Sequence, residues 1–260
     1  MRTPSRWSVA VRRADGGIHT ETHEITRRIP TRPFVRGPIV LVESLRVGLE
    51  AIRVSVRVTT GVESGRGEVA STLAAVAVTF LVLFGAGPGV AIGASGLHGA
   101  AADVAEGCVR VAMFVLYLLL VSRSRTAVDL FRYHGAEHKV IAAYERLHSL
   151  PSLEDARPIS PVHNRCGTNF AMLLVIVTGF VYAPVPRAPL WAGAALRIVL
   201  VPVAAALAYE LMRLAAREHG EVWSHVVTWP GRAAQHITTR EPSDAQLDVA
   251  RAALERLLAG

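Results

Sequence analysis

Residues 69–102 form a run of thirty-four positions without one charged side chain. No other feature restricts the folding of this chain so severely. A surface helix of a soluble domain alternates an apolar stripe with a charged one, and this run has no second face to offer water. Its first part, 69–87, is long enough to cross the hydrocarbon core of a bilayer, and it ends at the breaker Gly85-Ala-Gly-Pro-Gly89. Residues 90–107, rich in Gly and Ala but holding His98, Asp103 and Glu106, read as a loop or re-entrant piece. A second span is expected over 108–122, with Arg110 near its outer end. A third follows over 169–182 and a fourth over 190–212, the last interrupted by Arg197 and Pro202. Pro184-Val-Pro-Arg-Ala-Pro189 makes the tight turn between them.

Charge then orients the spans. The formal net charge is +7, carried by 27 Arg and a single Lys. Twelve Arg precede the first span, six lie with the Lys in 123–166, and six follow the fourth span, whereas 88–107 holds none and 183–189 only Arg187. By the positive-inside rule both termini and the 123–166 segment face the cytoplasm of a bacterial inner membrane. Two cysteines, Cys108 and Cys166, make no disulfide framework, as suits that compartment. The polar, Arg-rich 1–68 segment does not read as a cleavable signal peptide. The surplus Arg reads as attraction to membrane lipids, and no nucleic-acid module is apparent. The fold class expected is a mainly α membrane protein with about four transmembrane helices, a small N-terminal β-hairpin and cytoplasmic helices.

The flanking segments are read by periodicity. Residues 7–26 alternate around Ala14-Asp-Gly-Gly17 and predict a hairpin with His19, Glu21 and His23 on one face. That face is a possible ligand set, although a solvated strand explains it more cheaply. Over 37–58, Leu41, Leu45, Leu49 and Ile52 recur at helical spacing opposite Glu43, Arg46, Glu50 and Arg53, which predicts an interfacial helix. Ser243 and Gln246 form a capping box ahead of the stripe Leu247, Ala250, Leu254 and Leu257 or Leu258, which should cover the hairpin or the 126–147 helix. The units expected are therefore 1–35 (hairpin), 36–68 (interfacial helix), 69–122 (first pair of spans), 123–168 (cytoplasmic loop), 169–212 (second pair) and 213–260 (tail).

Within the loop stands Tyr133-His134-Gly135-Ala136-Glu137-His138-Lys139, an H-x-x-E-H motif on a predicted helix over 126–147. Residues four apart share a helix face, so His134 and His138 can grip one metal ion while Glu137 acts on its water. With ten His and fifteen Glu in the chain, a chance match is expected only about 0.02 times. Glu145 falls near the same face, as a ligand or as the partner of one. A catalytic zinc typically keeps three protein ligands and an open position, so another ligand is needed. Two sources offer it: Glu210 at the cytoplasmic end of the fourth span, and the pair His163 and Cys166 just before the third. The only Lys of the chain, Lys139, falls in the motif, where an ammonium suits what a guanidinium does not. If a divalent metal such as zinc binds, hydrolysis follows, with Glu137 as general base and Lys139 or Arg165 stabilising the oxyanion. The location favours a lipid, a lipid-linked precursor or a membrane peptide as substrate. The competing reading is a non-enzymatic membrane scaffold or carrier, with a structural metal or a polar cluster.

Tyr133–Lys139 with Tyr144-Glu145, Asn164-Arg-Cys-Gly-Thr168, Glu210 and Thr238-Thr-Arg-Glu-Pro242 together resemble the YqhQ family. The resemblance also takes in Trp7–Arg12, Arg36-Gly37 and Glu43-Ser44, and so runs over essentially the whole chain. It implies a bacterial multi-span membrane protein of unknown function, labelled a predicted metal-dependent enzyme. Members usually carry a Gly-rich, Glu-containing stretch ahead of the Met1-Arg-Thr-Pro4 region.

Overall fold

A computed structural model of the chain describes residues 1–25, 30, 32–61, 66–93, 95–164, 166–185, 189–217 and 222–259. Arg165 and Arg187, both singled out in the sequence, lie outside them. The described chain is mainly helical, with one two-stranded sheet. Strand β1 (Arg6–Arg12) pairs antiparallel with β2 (Ile18–Glu24), Arg12 facing Ile18 across the turn. Asp15 accepts from the Gly17 amide and Gly16 adopts φ +87°, so Asp-Gly-Gly closes the hairpin as expected. On β2, Glu21 lies 2.7 Å from His19 and 3.2 Å from His23, and it also takes the guanidinium of Arg57. That face is an ion-pair cluster tying the hairpin to the next helix.

Helix α1 (Arg36–Thr60) buries Glu43 and packs Leu41 against the bundle core, whereas Val42, Leu45 and Ile52 are exposed. Helix α2 (Arg66–Phe80) runs on through a π-helical turn (Leu81–Ala86) into α3 (Gly87–Gly93). The expected break at Gly85–Gly89 is therefore only a change of pitch. In the widened turn the Gly87 amide donates to Val82, and Pro88, lacking an N–H, leaves the Leu83 carbonyl without its donor. Arg110 supplies one, its Nε lying 3.2 Å from that oxygen.

Helix α4 (Gly99–Val121) corrects a second expectation, since it takes in half of the presumed 90–107 loop. Ala100, Ala101, Ala102 and Ala105 are good helix formers, and Glu106 is neutralised inside the bundle rather than exposed on a loop. The motif helix α5 (Arg125–Leu147) follows, N-capped by Ser124, and then a short α6 (Leu153–Ala156). Helix α7 (Gly167–Tyr182) and α8 (Leu190–Arg217) form the second apolar pair. The tail holds two helices where one was expected: α9 (Val222–Thr238), missed in the sequence, and α10 (Asp244–Leu258), with its Ser243–Gln246 capping box.

Among the described residues, three helices are long and apolar enough to cross a membrane: Leu73–Gly93, Gly99–Val121 and Trp191–Ala216. Helix α7, expected as a span, is apolar but only 16 residues long, about 24 Å at 1.5 Å per residue. It is instead the centre of the bundle. Met172, Leu173, Leu174, Val175 and Val177 are buried against Phe84, Phe114 and the Ala204, Ala205 and Ala208 face of α8. A second core joins α5 to α10 and α6 through Ala136, Val140, Ala143, Leu247, Ala250 and Leu254. Helix α10 also packs on the hairpin, where the buried Ser8 hydroxyl donates to the Ala253 carbonyl at 2.7 Å. The protein thus has an apolar bundle and a smaller lobe of hairpin, α5, α6 and α10. The motif helix belongs to the lobe, while α7 belongs to the bundle.

Candidate metal centre

The seam between lobe and bundle is where the motif faces inward. His134 and His138, one turn apart on α5, bring their ring centroids to 4.4 Å. The Nδ1–H of His134 donates to the Thr238 carbonyl at 2.8 Å, and the Nδ1–H of His138 donates to the Pro161 carbonyl at 2.5 Å. A carbonyl can only accept, so each bond fixes its ring in one tautomer and leaves Nε2 as the free nitrogen. Both Nε2 atoms point towards Cys166, the N-cap residue of α7, whose Sγ lies 3.3 Å from His134 Nε2. Ligand atoms of His134, His138 and Cys166 all lie within 4.8 Å of one another, and among the described residues this is the group able to hold a metal ion.

The fit is close. Tetrahedral zinc, at roughly 2.0–2.3 Å to nitrogen and sulfur, separates its ligand atoms by about 3.4–3.6 Å. The His134–Cys166 spacing of 3.3 Å already matches, and no pair of ligand atoms has more than about 1.4 Å to close. Backbone carbonyls on the far nitrogen of each His are the outer partners that hold metal-binding imidazoles in place. Two His and one Cys leave a tetrahedral ion one open position, and soft thiolate with imidazole suits zinc.

Without an ion the three groups already share charge. Burial pushes the Cys166 thiol up, but the two imidazoles beside it outweigh this and bring its pKa to about 5. Burial likewise opposes charge on His134, yet its bond to Cys166, helped by the Thr238 carbonyl and Glu137, raises its pKa. Both shifts favour the charged form across the His134–Cys166 hydrogen bond. Glu137, one residue before His138, is pushed up by burial and pulled down more strongly by the Met1 ammonium at 3.4 Å and by both His, so its carboxyl is held below the usual range. Its side chain remains 38% exposed and lines a cavity of about 490 Å3 that also reaches His134.

The other sequence candidates occupy different places. His163 stands beside the cluster, its ring 5.7 Å from that of His138, but its Nε2 is 3.2 Å from Glu145. Glu145 is thus brought to the neighbour of the cluster and not to the cluster. Glu210 is not brought to it either: both its oxygens engage the Arg36 guanidinium, and the Phe34 amide donates to it at 3.2 Å. Lys139 is 2% exposed, with its ammonium on the Arg157 carbonyl and the Glu241 carboxylate. Those bonds tie α5 to two loops, which is a positioning task.

Several residues that build the site were not picked out from the sequence. Gln235 on α9 is fully buried, accepts from the His163 amide at 2.8 Å, and donates to the His163 carbonyl and to Asn169 Oδ1. Asn169 in turn donates to the Asn164 carbonyl at 2.7 Å. Together they set the 163–166 turn that delivers Cys166. Thr238 ends α9 and supplies the carbonyl for His134. Gln235 carried little signal of its own, because α9 also holds His225, Arg232 and His236, and only burial makes its amide demand partners.

Fold and site together define a helical protein with three membrane-length apolar helices and a His2Cys cluster where its bundle meets a small polar lobe. The match to a family model spans residues 32–259, so the chain belongs to the family described as "Protein of unknown function (DUF1385)". It is also 34% identical over 154 residues to "Uncharacterized protein YqhQ" of Bacillus subtilis (strain 168), a match covering 59% of this chain and 48% of that protein. The chain's match therefore spans about half the length of this relative. No solved structure matches.

Proposed function

We propose that this chain is a membrane-bound, zinc-dependent hydrolase acting at the cytoplasmic face on a membrane-resident substrate. The observation that carries the reading is the convergence of two tautomer-locked Nε2 atoms and one thiolate beside an accessible Glu. The apolar helices would set the bundle in the bilayer, with both termini and the α5 lobe on the Arg-rich cytoplasmic side. His134, His138 and Cys166 would hold the ion, which supplies Lewis acidity and makes water a competent nucleophile near neutral pH. Glu137 takes the proton from the attacking water and returns it to the leaving group as the scissile bond breaks, so water is consumed and no redox partner is needed. Thr238 and Pro161 hold the imidazoles still, so little reorganisation accompanies the reaction.

The competing reading, a scaffold with a closed structural site, requires a fourth protein ligand. His163 is the nearest candidate, and its engagement with Glu145 favours an open position. Metal analysis of the purified protein tests the proposal. One zinc per chain, lost in His134→Ala and kept in Glu137→Gln, is expected, with hydrolysis lost in both. Protein folded to the same extent without stoichiometric metal refutes it.

A further inference from the structure

The cavity in front of the site has two chemically distinct ends. Its outer end is formed by Tyr117, Leu118 and Val121, in the last turns of α4, with Leu130 and Phe131 from the start of α5. Its inner end is polar: His134 and Glu137 meet the Thr168 and Thr238 side chains, whose hydroxyls lie 3.1 Å apart. Helix α4 is one of the three helices long enough to cross a bilayer, and Leu116 and Leu120 on its outer face are exposed. The mouth thus opens between the end of a membrane-length helix and a Leu130 side chain that is 63% exposed.

Resting on the hydrolase reading above, we propose that the substrate is an uncharged acyl-ester lipid. Its alkyl chain enters from the bilayer along the Leu118 and Leu130 mouth, and its ester reaches Glu137 and His134. Three observations select this class. The volume, about 490 Å3, lies in the range of small-molecule sites. An extended peptide would bring a donor and an acceptor at every residue, and outside the site itself the described lining offers only the Tyr117 and Tyr133 hydroxyls to meet them. Beside the His134 imidazole, the described lining carries the Glu137 carboxylate, which repels an anionic group placed next to it. A neutral ester is compatible with that carboxylate.

The test uses full-length protein in phosphatidylglycerol nanodiscs doped with a diacylglycerol carrying a diazirine near its acyl terminus. Photolysis and peptide mapping are expected to place adducts at Tyr117, Leu118 or Leu130, in addition to the lipid-facing Leu116 and Leu120. Leu130→Arg, at an exposed position that tolerates the change, should reduce mouth adducts about tenfold and leave those at Leu116 and Leu120, because a charge there removes apolar contact with the chain. Adducts at Leu116 and Leu120 only, or mouth adducts from a diazirine-bearing membrane peptide and not from the lipid, overturn the inference. Zinc content measured on the same sample separates the two proposals. Mouth adducts without zinc leave the lipid pocket standing and remove the hydrolase, whereas zinc without mouth adducts does the reverse.

Discussion

Gly135 lies between the first His of the motif and Ala136, and by helix propensity alone it should be improved by Ala, by about 1 kcal/mol. The structure predicts the opposite sign. A Cβ built on Gly135 would stand 2.1 Å from the Arg240 carbonyl oxygen, whereas ordinary contact begins at 3.4 Å. The obstacle is backbone, so the 238–241 segment must retreat by about 1.3 Å. That segment is held to α5 by the Arg240 amide on the Phe131 carbonyl at 2.9 Å and by Thr238 on His134 at 2.8 Å. Moving it stretches both bonds beyond hydrogen-bonding range. Overpacking costs about 1–3 kcal/mol and the two lost bonds about 1 kcal/mol each, against the roughly 1 kcal/mol gained from propensity. Gly135→Ala should therefore lose about 2–4 kcal/mol of stability in detergent unfolding. Since Thr238 orients His134, zinc affinity measured against a chromophoric chelator should fall by about 10–100-fold. Gly48→Ala is the internal control: it is also helical but nothing lies within 4 Å of its Cβ, so it should be neutral or stabilising. A Gly135→Ala protein that gains stability as Gly48→Ala does, with zinc affinity unchanged, would refute the packing argument.

Three further outcomes are expected. Glu106 bridges Arg110 at 2.7 Å and Arg197 at 2.9 Å inside the apolar bundle, so Glu106→Gln should cost about 3–5 kcal/mol in thermal unfolding by stranding buried guanidinium charge. Glu210→Ala should leave zinc stoichiometry unchanged while lowering the thermal unfolding temperature, because it removes the carboxylate that both holds Arg36 and accepts from the Phe34 amide; loss of zinc would return Glu210 to the ligand set. In metal-free protein the thiolate absorbance of Cys166 should titrate near pH 5. Its pKa is depressed in the folded state, so its contribution to stability is complete above the ordinary value of 9.0 and is lost as pH falls through about 5. His134, raised, contributes below its ordinary 6.5 and loses that contribution as pH rises through the higher folded value.

Of the site, the sequence disclosed the residues that share one helix. His134, Glu137 and His138 were legible because a four-residue spacing on a helix fixes their relative positions without reference to the rest of the fold. Cys166 was named, but as one of two rival sources. Choosing between it and Glu210 required knowing which loop the bundle turns towards α5, and that is decided by Gln235 and Asn169, residues with no motif of their own. Lys139 stood out by rarity, a statistical signal silent on direction; in the fold it is buried beneath Glu241 and the Arg157 carbonyl. On α1, likewise, Leu41 turns to the bundle while Leu45 and Ile52 stay exposed. Periodicity reveals that a helix is two-sided, and only its neighbours decide which side is turned inward.

By itself the sequence determined the apolar helices, the hairpin, the terminal capping box and the paired imidazoles, because each rests on local spacing or on a run of one polarity. Tertiary structure alone decided the continuation of α2 through a π-helical turn, the extension of α4 over the presumed loop and the choice of Cys166 over Glu210. The physical reason is common to these. A carbonyl freed by Pro88, a carboxylate at Glu106 and an imidazole nitrogen at His134 are each satisfied by a group far away in the chain. Such partners are brought within reach only when the bundle and the lobe have closed on one another.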